Sequence, residues 1–316
     1  MVLSEALEAL AVATIADGRS ARTVADYRQK LGALVTFLGD GQVDQVTTSD
    51  LRRFVADLRN RETRYSDARS TRPEVPGGLS AASVAGYVRA VKRLFAFLLE
   101  DEVIGANPAR KLHSPRLTRG EPKAYQTSDL VKLIQATAGS DPVSLRDRAI
   151  LLFLADTGCR VGGLVGLKVA DLDLDQGLAK LTEKGQKTRL APFSEPTRAA
   201  LADWLAVRPA RAGDSLWVNL GRRGGLAMTE EGVRQVFRRL KDRAGIDGPC
   251  NPHAFRHGFA KLYLQTGGDL ATLADLLGHA SVETTWRHYA IFRTAELQAK
   301  HDKHSPIALM GRKGEL

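Results

Sequence analysis

The sequence predicts a mainly α protein: an N-terminal helical bundle, then a mainly helical α+β domain with one small antiparallel sheet. Three observations predict it. Apolar residues recur at three-and-four spacing through much of the chain, the mark of helices packed on one face. The stretch 171–193 alternates and turns as short strands do. A basic, proline-bearing segment, 113–123, separates the two parts, and 316 residues suit two domains of ordinary size. A hydrophobic content of 43% supplies real cores. Lys plus Arg number 46 against 36 Asp plus Glu, a net charge of +10, which favours a polyanionic partner, nucleic acid first. Cys159 and Cys250 make no disulfide framework and fit a reducing interior. No apolar run approaches a membrane span, and the start MVLSEALEAL lacks the basic opening and apolar core of a signal peptide. The expectation is a soluble cytoplasmic protein with no membrane partner.

Four helices are expected before the linker. Ser4 caps a first helix that ends near Gly18. Ser20 opens a second, striped by Val24, Tyr27, Leu31, Leu34 and Leu38. Thr47 and Asp50 make a capping box before Leu51, Phe54, Val55 and Leu58. Ser80 caps a fourth, striped by Val84, Tyr87, Val88, Val91, Leu94 and Leu98. The span 59–78 is polar, carries Pro73 and Pro76, and reads as a loop. This part holds no catalytic cluster. The domain boundaries expected are 1–114, a linker at 115–124, and 125–316.

In the second part a helix from Leu145 to about Ala155 runs into the turn TGCRVGGLVGL, which presents Arg160. LAKLT and TRLAPF then flank the turn EKGQK as a hairpin, with Lys184 at its tip. A helix over 229–244 carries Arg234, Arg238, Arg239, Lys241 and Arg243, a basic face suited to phosphates. The run from His253 to Tyr289 follows. Phe259, Leu262, Tyr263, Leu270, Leu273, Leu276 and Leu277 form the buried faces of two short helices, joined at Gly267-Gly268. His253, Arg256, His257, His279 and Tyr289 punctuate this frame.

That residue set has a chemistry. A guanidinium matches a phosphate in a fork, imidazoles can donate to its remaining oxygens, and a phenol can act as nucleophile. Each residue alone is equally an ordinary core or surface residue. His253 and His257, four apart, also raise zinc, but the metalloprotease pattern needs Glu after the first His, and Ala254 stands there.

The joint pattern HxxRH, then LLGH, then a C-terminal Tyr resembles the tyrosine recombinase family of the phage-integrase and Xer type. Arg160 matches that family's first catalytic Arg and Lys184 its hairpin lysine. SARTVADYRQKLGALVTFL and NPARKL resemble the opening and close of its N-terminal core-binding (SAM-like) bundle. The resemblance spans nearly the whole chain. It implies site-specific DNA cleavage and rejoining through a 3′-phosphotyrosyl link, with no metal, nucleotide or other cofactor. Tyr289 would be the nucleophile, Arg160 and Arg256 would hold the phosphate, and Lys184 would protonate the leaving oxygen. His253 would move the Tyr proton and His279 would bond the phosphate. It further implies a double-stranded DNA site closed in a clamp of the two domains, a dimer on each site, a tetramer in the synapse, and a tail (294–316) packing on a neighbouring subunit. Two departures stand out. The family usually carries Glu or Asp three residues after the first Arg, where this chain has Gly163. Its Tyr commonly lies nine residues after the LGH histidine; here that position is His288, and Tyr289 is one further. These motivate an alternative of another class, a DNA-binding accessory protein that no longer cuts. A type IB topoisomerase shares the chemistry but not the compact motifs.

Overall fold

Side chains start most of the helices by satisfying amides that a first turn leaves unbonded. The computed structural model describes residues 1–64, 75–116, 123–183, 187–209, 213–221, 224–279, 281–289, 301 and 305. The chain divides into two units, Met1–Arg119 and Gly120–Leu316. In the first, α1 (Leu3–Ala16), α2 (Ala21–Leu38), α3 (Thr48–Asn60) and α4 (Ala81–Glu100) form a bundle. Ser20 and Ser80 each accept from the backbone N–H three residues on, and Thr47 with Asp50 closes the capping box. Leu31, Leu34, Leu51, Phe54, Leu58, Val84, Val88, Val91, Leu94 and Leu98 meet in one core.

Two details differ from expectation. Val2, not Ser4, precedes α1 as its cap residue, and the Ser4 hydroxyl donates to Asp40 Oδ2 at 2.6 Å instead. The span 59–78 is not wholly loop. α3 runs to Asn60, and β1 (Thr63–Arg64) pairs antiparallel with β2 (Val75–Pro76). Two-residue strands are too short for alternation to show. Residues 65–74 of that span, and 117–122 of the linker, lie outside the described residues.

In the second unit α5 (Thr127–Gln135), α6 (Pro142–Thr157) and α7 (Val161–Val165) precede a three-stranded antiparallel sheet of β3 (Leu172–Asp173), β4 (Leu178–Thr182) and β5 (Thr188–Pro192), in that order. Then come α8 (Glu195–Val207), α9 (Glu230–Ala244), α10 (Pro252–Gln265), α11 (Leu270–Leu277) and α12 (Val282–Tyr289). Ile150, Phe153 and Leu154 of α6 pack with Ala179, Leu181 and Ala191 of the sheet, Trp204, Trp217, Phe237 and Phe255 in the main core. Phe255 lies against Phe237 and Tyr125, with ring centroids 4.8 and 4.7 Å away, which fixes the rotation of α10. Leu264, Leu270, Leu273, Leu277 and Tyr289 form a smaller core beside it. The basic face of α9 is already engaged. Arg234 and Arg238 pair with Glu230 and Glu231 of its first turn, Arg239 pairs with Asp147, and Arg243 donates to the Ala136 carbonyl. Among the described residues no helix is long and apolar enough to cross a membrane.

Candidate active site

Asn251 begins α10 by accepting from the His253 and Ala254 amides, with Pro252 at the first helical position. With Phe255 in the core, the three-and-four spacing gathers His253, Arg256 and His257 on neighbouring positions of another face. Arg256 is only 5% exposed. It donates to the carbonyls of Gly158 at 2.9 Å and Leu277 at 2.8 Å, and to His279 Nε2 at 2.7 Å. Gly158 and Gly278 make this bridge possible. Both cap helices in the left-handed region, φ +57° and +63°, and a Cβ would lie 2.5 Å from Phe259 at the first and 2.9 Å from Arg189 at the second. Among the described residues Arg256 meets no carboxylate. Burial, then the neighbouring charge of Arg160, pulls its pKa down to about 10, so it stays protonated at neutral pH.

A guanidinium offers only donors, so His279 Nε2 must accept from Arg256. The proton of the neutral ring then sits on Nδ1, which donates to Thr285 Oγ1 at 2.5 Å. Burial first, then Arg256, lowers the pKa of His279 to about 4.

α12 turns Thr285 and Tyr289 inward, one helical turn apart, and leaves Trp286 exposed. The Tyr289 hydroxyl lies 2.8 Å from His257 Nδ1, and His257 Nε2 lies 2.9 Å from His253 Nε2. A hydrogen-bonded chain thus runs from a phenol 2% exposed to an imidazole at the surface. Burial, then His253, lowers His257 to about pH 4, and burial also lowers His253. Burial raises Tyr289, outweighing the lowering by Arg256 and Arg160. His288 faces solvent and donates through Nδ1 to the Thr284 carbonyl at 2.7 Å. The extra residue after the LGH histidine therefore leaves Tyr289, not His288, facing the Arg256 cluster.

Arg160 is the residue before α7 and its side chain is 42% exposed, so it is less enclosed than the flanking apolar runs suggest. It pairs with Glu183, which also takes Arg189 Nε at 3.3 Å. Burial and the charge of Arg189 lower its pKa. Lys184 lies outside the described residues, as does nearly all of the tail from 290 onward. His253 and His257 turn their Nε2 atoms on each other, and among the described residues no three His, Cys, Asp or Glu side chains gather as a metal site.

Residues 124–295 match the sequence pattern of the phage integrase family, and residues 10–102 match its N-terminal SAM-like domain. The chain belongs to the phage integrase family. Tyrosine recombinase XerD of Listeria monocytogenes is 31% identical over 278 residues, 85% of this chain and 87% of that protein. Tyrosine recombinase XerC of Xanthomonas axonopodis pv. citri is 33% identical over 279 residues, 84% and 85% of the two chains. Among solved structures, the Tn1549 transposon integrase in complex with transposon right end DNA superposes with a TM-score of 0.74 at 19% identity, over 96% of this chain and 99% of the other. XerH bound to palindromic difH superposes at 0.71 with 20% identity, over 90% and 80%. Those two likenesses establish the integrase fold, a mainly helical chain with an N-terminal SAM-like domain and a small antiparallel sheet.

Five side chains predicted from the integrase pattern, Arg160, His253, Arg256, His279 and Tyr289, come together. Motif spacing gave no role to His257, Thr285, Glu183 or Arg189. His257 was visible in HxxRH, but its bond to Tyr289 depends on packing 32 residues away. Strand alternation carried a signal for the other pair. Glu183 shares the inward parity of Ala179 and Leu181, and Arg189 that of Ala191, so two charges fall on a buried face.

Proposed function

We propose that this chain is a site-specific recombinase that cleaves double-stranded DNA and rejoins it to a partner strand through a 3′-phosphotyrosyl intermediate. One observation carries the reading: Arg256, a buried guanidinium that meets no carboxylate among the described residues, stands beside a buried phenol. A buried cation lacking a counter-ion is costly, and a phosphodiester supplies both the missing anion and the atom the phenol would attack. Tyr289 Oη attacks phosphorus and the bond to the 5′-oxygen breaks, leaving the 3′-phosphate on Tyr289. The phenolic proton passes to His257, with His253 as the next acceptor toward solvent, so His253 acts through its neighbour. Arg160 and Arg256 hold the non-bridging oxygens as negative charge builds in the transition state. Lys184 protonates the departing 5′-oxygen. His279 bonds the phosphate once its Nε2, now accepting from Arg256, gains a proton or the ring changes tautomer. A 5′-hydroxyl of the partner strand reverses the attack, and the phosphotyrosyl bond conserves the energy, so no nucleotide is consumed. The chain's own cations supply the charge, so no metal enters a step.

The domain reading is residues 1–114 gripping one side of the site, 115–124 as linker and 125–316 as catalytic domain. A lambda integrase fragment has been solved as a dimer bound to a core site. By analogy this chain works as a dimer on each site and a tetramer in the synapse, joined through its tail, in the cytoplasm. The two departures that favoured a non-cleaving accessory protein lose their force. Tyr289 faces Arg256 despite the extra residue, and a carboxylate stands at Arg160 despite Gly163. The test uses a nicked duplex bearing the chain's site, located by footprinting the DNA around its gene. A covalent protein–DNA adduct should accumulate in EDTA. Tight binding with no adduct would identify the accessory protein, and an adduct that needs added magnesium would refute the metal-free chemistry.

A further inference from the structure

Glu183 immediately precedes the hairpin tip, yet its side chain is only 7% exposed. Pairing continues up to it, because its amide donates to the Lys187 carbonyl at 2.8 Å. One carboxylate oxygen meets Arg160 Nη1 and the other meets Arg189 Nε. Arg189 is itself 12% exposed, and among the described residues neither of its Nη atoms has a hydrogen-bond partner. Both side chains lie under the turn that leads into His279. A Cβ on Gly278 would be 2.9 Å from Arg189 Cδ and 3.3 Å from Glu183 Oε2. Gly163 faces the same space, since a Cβ there would be 3.8 Å from Glu183 Cγ.

We infer that Glu183 is the positioning residue for Arg160, supplying from the hairpin the carboxylate that position 163 does not carry. The inference rests on the reading of Arg160 as a phosphate-holding group. The physical reason lies in the charge count. A half-exposed Arg samples many rotamers, and a buried carboxylate with fixed backbone selects one. A lone carboxylate would also cancel the charge that Arg160 must offer to phosphate. Glu183 avoids this by serving two guanidiniums at once, so the trio keeps a net positive charge while Arg160 is oriented. The same ion pairs tie the hairpin strand to the α6–α7 turn. Binding of DNA needs none of this, whereas transition-state geometry does.

The experiment measures single-turnover cleavage of the nicked duplex, DNA affinity and thermal unfolding for Glu183→Gln, Glu183→Gly, the double variant Gly163→Glu with Glu183→Gly, and Arg160→Ala. Glu183→Gln should slow cleavage roughly tenfold to a hundredfold, with affinity within about twofold of wild type. The double variant, which returns a carboxylate to the same space from the other wall, should cleave at least about tenfold faster than Glu183→Gly. Cleavage by Glu183→Gln within about threefold of wild type overturns the inference, as does a folded double variant no faster than Glu183→Gly. Should Glu183→Gln or Glu183→Gly unfold, the double variant decides alone: cleavage near wild type upholds the inference and cleavage at the Arg160→Ala level overturns it. Arg160→Ala separates the two claims, because normal cleavage there removes Arg160 from the site and with it the reading on which Glu183 depends.

Discussion

Tyr289 is a phenol at neutral pH, and burial raises its pKa further, so its proton needs an acceptor before the oxygen can attack. His257 touches that oxygen, and His253 only touches His257. His257→Gln keeps a hydrogen-bonding group but cannot take up a proton, and should slow cleavage about a hundredfold or more at unchanged DNA affinity. His253→Gln should cost less, since it sits one bond further out. Equal losses in single-turnover rate would contradict that order. The same histidines set a stability trend. His257 and His279 have folded pKa values near 4 against 6.5 for the free group. Between those values the unfolded chain binds more protons, so their contribution is intact above pH 6.5 and is lost as pH falls toward 4. Thermal unfolding should show the melting temperature falling through that window, more shallowly in His257→Gln. A flat profile would show that these rings are not held neutral. His253, Arg256, His279 and Tyr289 were legible because motif spacing reports them. The His257 bond was not, because a tautomer and a contact 32 residues apart are written in packing.

Two turns and a hairpin hold the site at the scale of elements. Gly278 ends α11 in the left-handed region and leaves room for Arg189 beneath it. Gly278→Ala should cost about 1–2 kcal/mol for the backbone alone and more for the displaced Arg189, read as a lower urea midpoint, and should slow cleavage. Wild-type stability would mean that the turn has another conformation open to it. Most of this scale was legible. Ser20, Thr47 and Ser80 announced their helices, and alternation announced β4 and β5. The strands β1 and β2 span two residues each and leave no period to read. The basic stripe of α9 was legible, but its ion pairs were not read from the sequence: Glu230 and Glu231 open the same helix and pair with two of its arginines.

For the whole molecule, a charge of +10 spread over two units should make DNA binding strongly salt-dependent. The logarithm of the affinity should fall linearly with the logarithm of salt concentration, with a slope of magnitude about 4 or more. A slope under about 1 would rule out a phosphate-gripping mode. Composition favoured a polyanionic partner, and the joint motif foretold the fold, since no single residue of the set is diagnostic. Neither identifies the atom that bonds to DNA when the spacing is irregular. The direct test is mass spectrometry of the nucleotide-bearing peptide from the trapped adduct, with wild type, Tyr289→Phe and His288→Ala side by side. The nucleotide should lie on Tyr289, with an adduct from His288→Ala and none from Tyr289→Phe despite normal binding. A nucleotide mapped to His288, or an adduct that persists in Tyr289→Phe, would contradict it.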